Sequence, residues 1–392
     1  METVPPRREA LVSVISVGLA VALSLFGDMA MYVILPVQYA SMGLTAFQVG
    51  ILLSANRWVR LLTNRVAEVL VRRHGTRILF PLSLAAGSAI AAGYALTSSF
   101  AILLALRMAW GFCWSIIRHT GVMTTASVGG AGRTGRLMGL YAGLVQAGFV
   151  AGTFAAGILF DRGGLSLAFL MAAAMSLAAL PAAALPGRRL APSAGSSGGG
   201  NRPSKRRTRT RILPALRGAV IAFVGTGLII STLGYLLRQA YGESVDVGAL
   251  AIGVTTLNGL LLAAQYLING VGAPLLGIAV DRHGVRAAQI VGFVVSGLSL
   301  LALGLAPGVA ILVPLVALFF TASAVSRIAV EVQAASAGPR AYSELATAMD
   351  FGAAAGPLLG WVGIELSQSD AVFWVGGGLF ALAACSFLAD KR

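Results

Sequence analysis

The stretches "GIAVDRHGVR", residues 277–286, and "NRVAEVLVRRHGTR", residues 64–77, each end a long apolar run with the order Arg-His-Gly-x-Arg. The chain around them is 57% hydrophobic and only 11% charged, which lies outside the usual composition of a soluble domain. Apolar runs of about 20 residues, the length that crosses the hydrocarbon core as a helix, recur from end to end. Because these runs lack the alternation of barrel strands, they predict membrane-spanning helices.

Twelve such helices are predicted, so the expected fold is an all-α membrane protein with two pseudo-symmetric bundles of six helices. The first apolar run is too long for a signal peptide and lacks a convincing cleavage site, so we expect it to be retained. Residues 1–186 and 213–392 are the expected bundles, and the Gly-, Ser- and Arg-rich residues 187–212 are the linker. The predicted spans are 11–38, 47–71, 78–97, 101–127, 137–160, 165–186, 213–240, 247–276, 287–306, 309–333, 345–367 and 370–389.

The formal charge of +15 is placed unevenly along the chain. Most arginines fall at the termini, in the linker or in alternate connections, all on one side of the twelve-span arrangement. This positive-inside bias predicts that both termini are cytoplasmic, and we expect a bacterial inner membrane. No aromatic residue interrupts "NRPSKRRTRTR", residues 201–211, so contact with anionic lipid is favoured there over nucleic-acid binding.

The two halves are internal repeats. Adding 209 to a residue number maps Gly75 onto Gly284, Gly50 onto Gly259 and Arg118 onto Arg327. After the fourth helix the shift becomes 204, which maps Gly148 onto Gly352 and Gly152 onto Gly356. An even number of helices in each half gives both halves the same orientation, as in parallel repeats related by an axis along the membrane normal.

Three motifs carry a resemblance to the major facilitator superfamily of transporters. "GIAVDRHGVR" is similar to the loop signature between the second and third helices of each half, with Gly277, Asp281, Arg282, Gly284 and Arg286 in the matching positions. "RMAWG", residues 107–111, resembles the fourth-helix signature, and "GAAAGPLLG", residues 352–360, resembles the Gly-Pro motif of many antiporters. The resemblance covers essentially the whole chain and implies transport by alternating access.

The loop signature predicts a conformational latch that forms in one state and breaks in another. Gly277 would allow close helix approach, and Asp281 would hold arginines or cap backbone donors. In the first half the corresponding positions are Glu68 and Arg72, so that latch is either rewired through Glu68 or vestigial. The residues assigned to the latch are Glu68, Arg72, Gly277, Asp281, Arg282, Gly284 and Arg286.

Glycines at four-residue spacing form smooth stripes on helices five and eleven. Such stripes allow either tight helix packing or a sliding interface for alternating access. The residues are Gly148 and Gly152 in the first half and Gly352, Gly356 and Gly360 in the second.

Asp28 lies slightly past the middle of the first helix, in "LSLFGDMAMYVILP", residues 23–36. A charge near the bilayer centre costs about 2.5–3.5 kcal/mol, so it needs a partner or a wet cavity. Arg107 of the fourth helix is the expected partner. Burial disfavours the ionised carboxylate and a nearby arginine favours it, so a changing partner would load and release a proton. A purely structural ion pair is the alternative.

Polar and aromatic residues near the midplane are candidates for a substrate cavity. Arg57 and Arg60 share one face of the second helix with Asn64 and Glu68. Arg118 and its repeat mate Arg327 are expected to face each other, although Arg327 also has Glu331 one turn away. The residues assigned to the cavity are Arg57, Arg60, Trp110, Trp114, Arg118, Tyr235, Tyr266 and Arg327.

The favoured function is proton-coupled efflux of a hydrophobic or drug-like compound. The alternative is transport of an organic anion bound by the central arginines, and a non-transporting receptor or assembly protein is the alternative of another class. We expect no enzymatic activity, no cofactor and no metal site, because the sequence has neither a nucleotide-binding loop nor grouped metal ligands. The expected partners are a small-molecule substrate, protons and the lipid bilayer, and the protein is expected to be a monomer.

Overall fold

A computed structural model describes residues 6–129, 133–184, 212–247, 250–305, 308–366 and 371–389. Helices make up nearly all of this part of the chain. The α-helices are α1 (Arg7–Ser24), α2 (Phe26–Gln38), α3 (Ala46–His74), α4 (Thr76–Leu96), α5 (Phe100–Gly129), α6 (Thr134–Ala184), α7 (Ile212–Ile221), α8 (Ile230–Tyr241), α9 (Val254–Leu267), α10 (Ala273–His283), α11 (Val285–Leu303), α12 (Val309–Ala337), α13 (Pro339–Glu365) and α14 (Ala371–Ala389). Short π-helical segments, Ala222–Ile229 and Ile268–Gly272, join α7 to α8 and α9 to α10.

Several of these helices combine into single spans. The described residues contain nine helical stretches that are long and apolar enough to cross a membrane. One of them, α6, contains two spans, because its backbone leaves the helical conformation at Gly163 and Gly164. With the more polar α3 and α13, the arrangement agrees with the twelve predicted spans and is that of an all-α membrane protein.

The predicted helix over residues 247–276 is wrong at its start. Strands β1 (Ser244–Val247) and β2 (Leu250–Gly253) form an antiparallel hairpin, and the helix begins only at Val254. Alternating polar and β-branched residues in Ser-Val-Asp-Val favour a strand, and Gly242, with φ of 74°, ends the preceding helix. The predicted linker, residues 187–212, lies outside the described residues except for Ile212, so the division into two domains stays a prediction.

The repeat is visible in the backbone at the two charged turns. Gly75 has φ 82° and ψ 152°, and Gly284 has φ 85° and ψ 143°. Both residues end one helix and begin the next, and their positive φ angles are readily adopted only by glycine.

The predicted glycine stripes lie inside each half of the molecule and not between the halves. A Cβ atom added to Gly148 would lie 2.5 Å from Cα of Ala22, and one added to Gly356 would lie 2.6 Å from Cα of Gly227. The stripes therefore join α6 to α1 in the N-terminal half (residues 6–184), and α13 to the π-helical segment in the C-terminal half (residues 212–389). Gly152, Gly352 and Gly360 make similar contacts with the same neighbouring spans.

The two halves pack against each other at the helix ends farthest from the Gly75 and Gly284 turns. A Cβ on Gly50 would lie 3.3 Å from the carbonyl of Pro357, and a Cβ on its repeat mate Gly259 would lie 2.5 Å from the carbonyl of Thr153. The ring of Tyr39 lies 5.2 Å from that of Trp361 in the same region. We call this end the sealed side, and the end that carries Gly75 and Gly284 the basic side.

Candidate functional site: an arginine-lined pocket and a buried ion pair

An open pocket lies between α3, α5 and α13, and its empty space of about 240 Å³ includes open solvent. Its α3 residues are spaced so that they share one face of the helix, and they run from Arg57 toward the basic side. The lining residues are Arg57, Arg60, Leu61, Asn64, Arg118 and Asp350. Because Asn64, Arg118 and Asp350 are exposed, the pocket opens toward the basic side.

Arg57 is held at the inner end of this pocket by contacts from both halves. Its Nη1 donates a hydrogen bond of 2.6 Å to the carbonyl of Ala353, and its Nε donates one of 3.2 Å to the Tyr32 hydroxyl. Only 9% of Arg57 is exposed. The residue therefore bridges the two halves below the sealed side.

The other charged residues of the pocket have no such partners. Within the described part of the chain, the side chains of Arg60 and Arg118 make no hydrogen bond or ion pair, and Asp350 has no ion-pair partner within 4.0 Å. Three guanidinium groups thus face one carboxylate. Arg60 is half-buried and Arg118 is exposed. Cations that converge in a cleft raise the local concentration of an oppositely charged solute, so this arrangement favours an anionic ligand.

The predicted ion pair between Asp28 and Arg107 is present next to this pocket. Arg107 Nη1 lies 2.5 Å from Asp28 Oδ1, and its Nε donates a hydrogen bond of 3.0 Å to the carbonyl of Leu52. Asn56 Nδ2 donates a further hydrogen bond of 3.2 Å to the same carboxylate oxygen. The Arg107 side chain has no exposed surface and that of Asp28 is 12% exposed, so the pair is shielded but not fully closed off.

Tyr32 connects the ion pair to the pocket. The centre of its ring lies 5.4 Å from the guanidinium carbon of Arg107 and 5.5 Å from that of Arg57. Cations at this distance are attracted by the ring. Its hydroxyl donates a hydrogen bond of 2.9 Å to the carbonyl of Leu53, which fixes the ring between the two arginines.

Five residues assigned to the cavity from the sequence do not line this pocket. Trp110 and Trp114 are buried within the N-terminal half, where the Trp110 ring packs against Gly87. Tyr235 belongs to an aromatic cluster with Tyr39 and Trp361 on the sealed side.

Tyr266 and Arg327 also do not line this pocket. Tyr266 stacks on Phe149 with ring centres 4.7 Å apart. Arg327 donates a hydrogen bond of 3.0 Å to Asn269 and lies 3.6 Å from Glu331. Arg327 therefore has local partners, and it does not line the pocket that holds Arg118.

The latch residues show no closed latch in this conformation. Glu68, Arg72, Asp281 and Arg282 are exposed, and nothing lies within 4 Å of a Cβ built on Gly277. Arg286 donates a hydrogen bond of 3.1 Å to the carbonyl of Phe387. The expected close helix approach at Gly277 is not made here, and the latch stays a prediction for a state in which the basic side is closed.

Sequence reasoning missed two polar residues of this region. Asn56 contacts Asp28 although its neighbours in the sequence are unremarkable, and only its position on the same helix face as Leu52 and Arg60 could have indicated it. Asp350, which is not among the residues assigned to the cavity from the sequence, lines the pocket opposite the arginines.

The chain resembles solved transporter structures over nearly its whole length. The nucleoside transporter NupG, in a mutant form, has a TM-score of 0.77 at 12% identity and is covered to 99%, with 98% of this chain aligned. A bacterial homologue of the human lysosomal transporter Spinster, inward-facing and unoccupied, has a TM-score of 0.77 at 15% identity with the same coverage. A POT family transporter in complex with a thioalcohol-conjugated peptide has a TM-score of 0.74 at 12% identity, with 98% of this chain and 96% of that chain aligned. At these identities the likeness shows the fold.

The family comparison rests on the sequence itself. No curated protein sequence matches the chain. The family model of the Major Facilitator Superfamily matches residues 17–258, which is more than half of the chain. The chain therefore belongs to the major facilitator superfamily, and it is a non-enzymatic membrane transporter of the alternating-access type.

Proposed function

We propose that this protein is a proton-coupled secondary transporter of a small organic anion, which binds in the pocket between α3, α5 and α13. The observation that carries the proposal is the presence of two unpaired guanidinium groups, those of Arg60 and Arg118, in one open pocket. A guanidinium group presents a planar set of donors that matches a carboxylate or a phosphate. An anion bound there would remove the repulsion between these cations.

The lining of the pocket supports a polar, anionic substrate. Four of its six lining residues are charged, and Asn64 adds an amide. In this conformation the pocket therefore suits a polar anion better than an apolar compound.

Asp28 and Arg107 are the proposed site of proton coupling. The carboxylate is shielded, with 12% of the Asp28 side chain exposed, and it has a cationic partner that a structural change could withdraw. Since Tyr32 contacts both Arg107 and Arg57, movement of Arg57 toward a bound anion would alter the surroundings of the ion pair. This contact is the proposed link between substrate binding and proton release.

Efflux of a hydrophobic or drug-like compound is the second candidate. It is favoured by the edge-to-face contact between Trp58 and Phe351, whose ring centres lie 5.5 Å apart across the two halves. Trp58 and Phe351 directly follow the pocket residues Arg57 and Asp350 in the sequence. Separation of the two rings in another state would expose aromatic surface. The antiporter-like Gly-Pro stretch at residues 352–360 points the same way.

We further propose a cytoplasmic location for the basic side and for both termini, in a bacterial inner membrane, with the protein acting as a monomer. The excess of arginine at this end supports that orientation. The pocket would then be open to the cytoplasm in this conformation.

The test of the proposed function is ligand binding followed by transport. Purified protein is screened by thermal shift against carboxylates, organic phosphates, neutral sugars and cationic drugs at two pH values. Compounds that bind are then measured for counterflow and for pH-driven uptake in proteoliposomes. We expect anions to raise the melting temperature, and Arg60→Gln and Arg118→Gln each to weaken anion binding about tenfold or more.

Arg327→Gln is the matched control, because Arg327 is the repeat mate of Arg118 but has local partners outside the pocket. It should leave anion affinity within about twofold of the parent. Equal losses in Arg118→Gln and Arg327→Gln would contradict the anion site, and binding of cationic drugs alone would favour the second candidate.

A further inference from the structure

Two hydrogen bonds join the halves on the sealed side. In each, a carboxylate of one half accepts from the first turn of a helix in the other half. Asp161, near the middle of α6, accepts one of 2.9 Å from the backbone nitrogen of Thr256 in α9. Glu365, the last residue of α13, accepts one of 3.0 Å from the backbone nitrogen of Phe47 in α3. Backbone N–H groups in the first turn have no partner within their own helix, so both contacts satisfy donors that would otherwise face water.

These two contacts are repeat mates. The shift of 204 that relates the two glycine stripes maps Asp161 onto Glu365, and the shift of 209 maps Phe47 onto Thr256. One pairing joins α6 to α9, and the other joins α13 to α3. Both flank the close approaches at Gly259 and Gly50, so each half presents one acid and one helix start to the other half.

We propose that the pairs Asp161–Thr256 and Glu365–Phe47 form a two-point clasp that holds the sealed side closed and must open when the transporter exposes its site there. The clasp does not depend on which substrate is carried, and it is separate from the loop motif on the basic side. A carboxylate at a helix N-terminus gains from the hydrogen bond and from the helix dipole. Both gains are lost once the halves separate.

The two points of the clasp are unequal. The first turn of α3 is already capped by its own residues, since Thr45 accepts a hydrogen bond from the Gln48 backbone and Gln48 accepts one from the Thr45 backbone. The N-cap residue of α9 is Gly253, which has no side chain to cap the helix. A Cβ on Gly253 would overlap the Asp161 carboxylate, so the glycine makes room for the acid from the other half. Asp161 therefore contributes more to closure than Glu365.

The test measures how often the sealed side opens. A single cysteine replaces Val37, which is 5% exposed and lies against Gly234 of the other half, after Cys113 and Cys385 have been changed to alanine. Its rate of alkylation by a maleimide is proportional to the population of the open form, even when that population is small. Asp161→Ala should raise this rate about fivefold and Glu365→Ala less, with the effects multiplying in the double variant.

Two further variants serve as controls for the alkylation rates. Glu243→Ala removes an exposed carboxylate near the same side that pairs with Arg238 of its own half, and it should leave the rate unchanged. Asp161→Asn keeps an oxygen that can cap the helix, so its rate should remain closer to the parent than that of Asp161→Ala. Rates in Asp161→Ala and in the double variant that match those of Glu243→Ala would overturn the clasp, whether or not the pocket binds an anion.

Discussion

The guanidinium group of Arg107 lies 2.5 Å from the carboxylate of Asp28, and its side chain has no exposed surface. This ion pair is the most deeply buried of those formed between described residues. Removing one member of such a pair leaves the other charge buried without a partner, whereas removing both does not. The pair is therefore a test of structure as well as of coupling.

A double-mutant cycle measures how strongly the two residues depend on each other. Asp28→Asn and Arg107→Gln should each lower the free energy of unfolding by about 3–5 kcal/mol, and the double variant should lose clearly less than the sum. The exposed pair Arg238–Glu243 should show a coupling of less than about 1 kcal/mol by the same denaturation measurement. Additive losses at Asp28 and Arg107 would mean that the pair is not coupled in the folded protein.

Proton coupling is tested by transport under a pH gradient. We expect Asp28→Asn to abolish pH-driven accumulation while solute exchange is less affected, because exchange needs no net proton movement. The measurement is uptake of a bound solute into proteoliposomes, with and without an imposed gradient, on variants shown to be folded. A pH dependence equal to that of the parent would remove Asp28 from the coupling mechanism.

The glycine stripe is tested by two substitutions in one helix. Gly148→Ala would place a Cβ 2.5 Å from Cα of Ala22, so we expect it to cost about 1–3 kcal/mol and lower the melting temperature by several degrees. Gly143→Ala is the control, since nothing lies within 4 Å of its added Cβ. It should be neutral or slightly stabilising, because alanine favours helix. Equal melting temperatures for the two variants would contradict the tight packing of α6 on α1.

The loop motif on the basic side is tested by distance measurements. Asp281 is exposed here, so Asp281→Asn should leave this open state unchanged and weaken only a state in which the basic side closes. Spin labels on cysteines at positions 74 and 283, both exposed, report the separation of the two turns. The variant should shift the distribution toward the longer distance, and an unchanged distribution would contradict the latch.

The fold was predictable because hydropathy and repetition act over long stretches. The shift of 209 relates residues with matching backbone angles, Gly75 and Gly284, and the shift of 204 relates the carboxylates of Asp161 and Glu365, which make matching contacts. The hairpin at residues 244–253 was missed because its strands are short and adjoin an apolar helix. An apolar run alone does not show where the helix begins.

The site was predictable only in part, because helix faces can be inferred from spacing but pairings between distant helices cannot. The Asp28–Arg107 pair was predictable because both residues lie at a similar depth in their predicted spans. Glu331 was indicated by the sequence as a local partner of Arg327. Asn269 was not, because it lies in a π-helical segment, where the spacing of side chains departs from that of an α-helix. Asp161 and Glu365 could have been found by applying the shift of 204 to acids as well as to glycines.

The glycine stripes have a consequence for how turnover and folding respond to mutation. Since their contacts stay within a half, a transport cycle in which each half moves as a unit leaves them intact, whereas contacts between the halves, such as those at Gly50 and Gly259, have to be remade at each turnover. Substitutions in the stripes should therefore reduce the yield of folded protein, with little change in the transport rate of the protein that does fold. Substitutions at Gly50 or Gly259 should change the transport rate, with little change in the yield of folded protein.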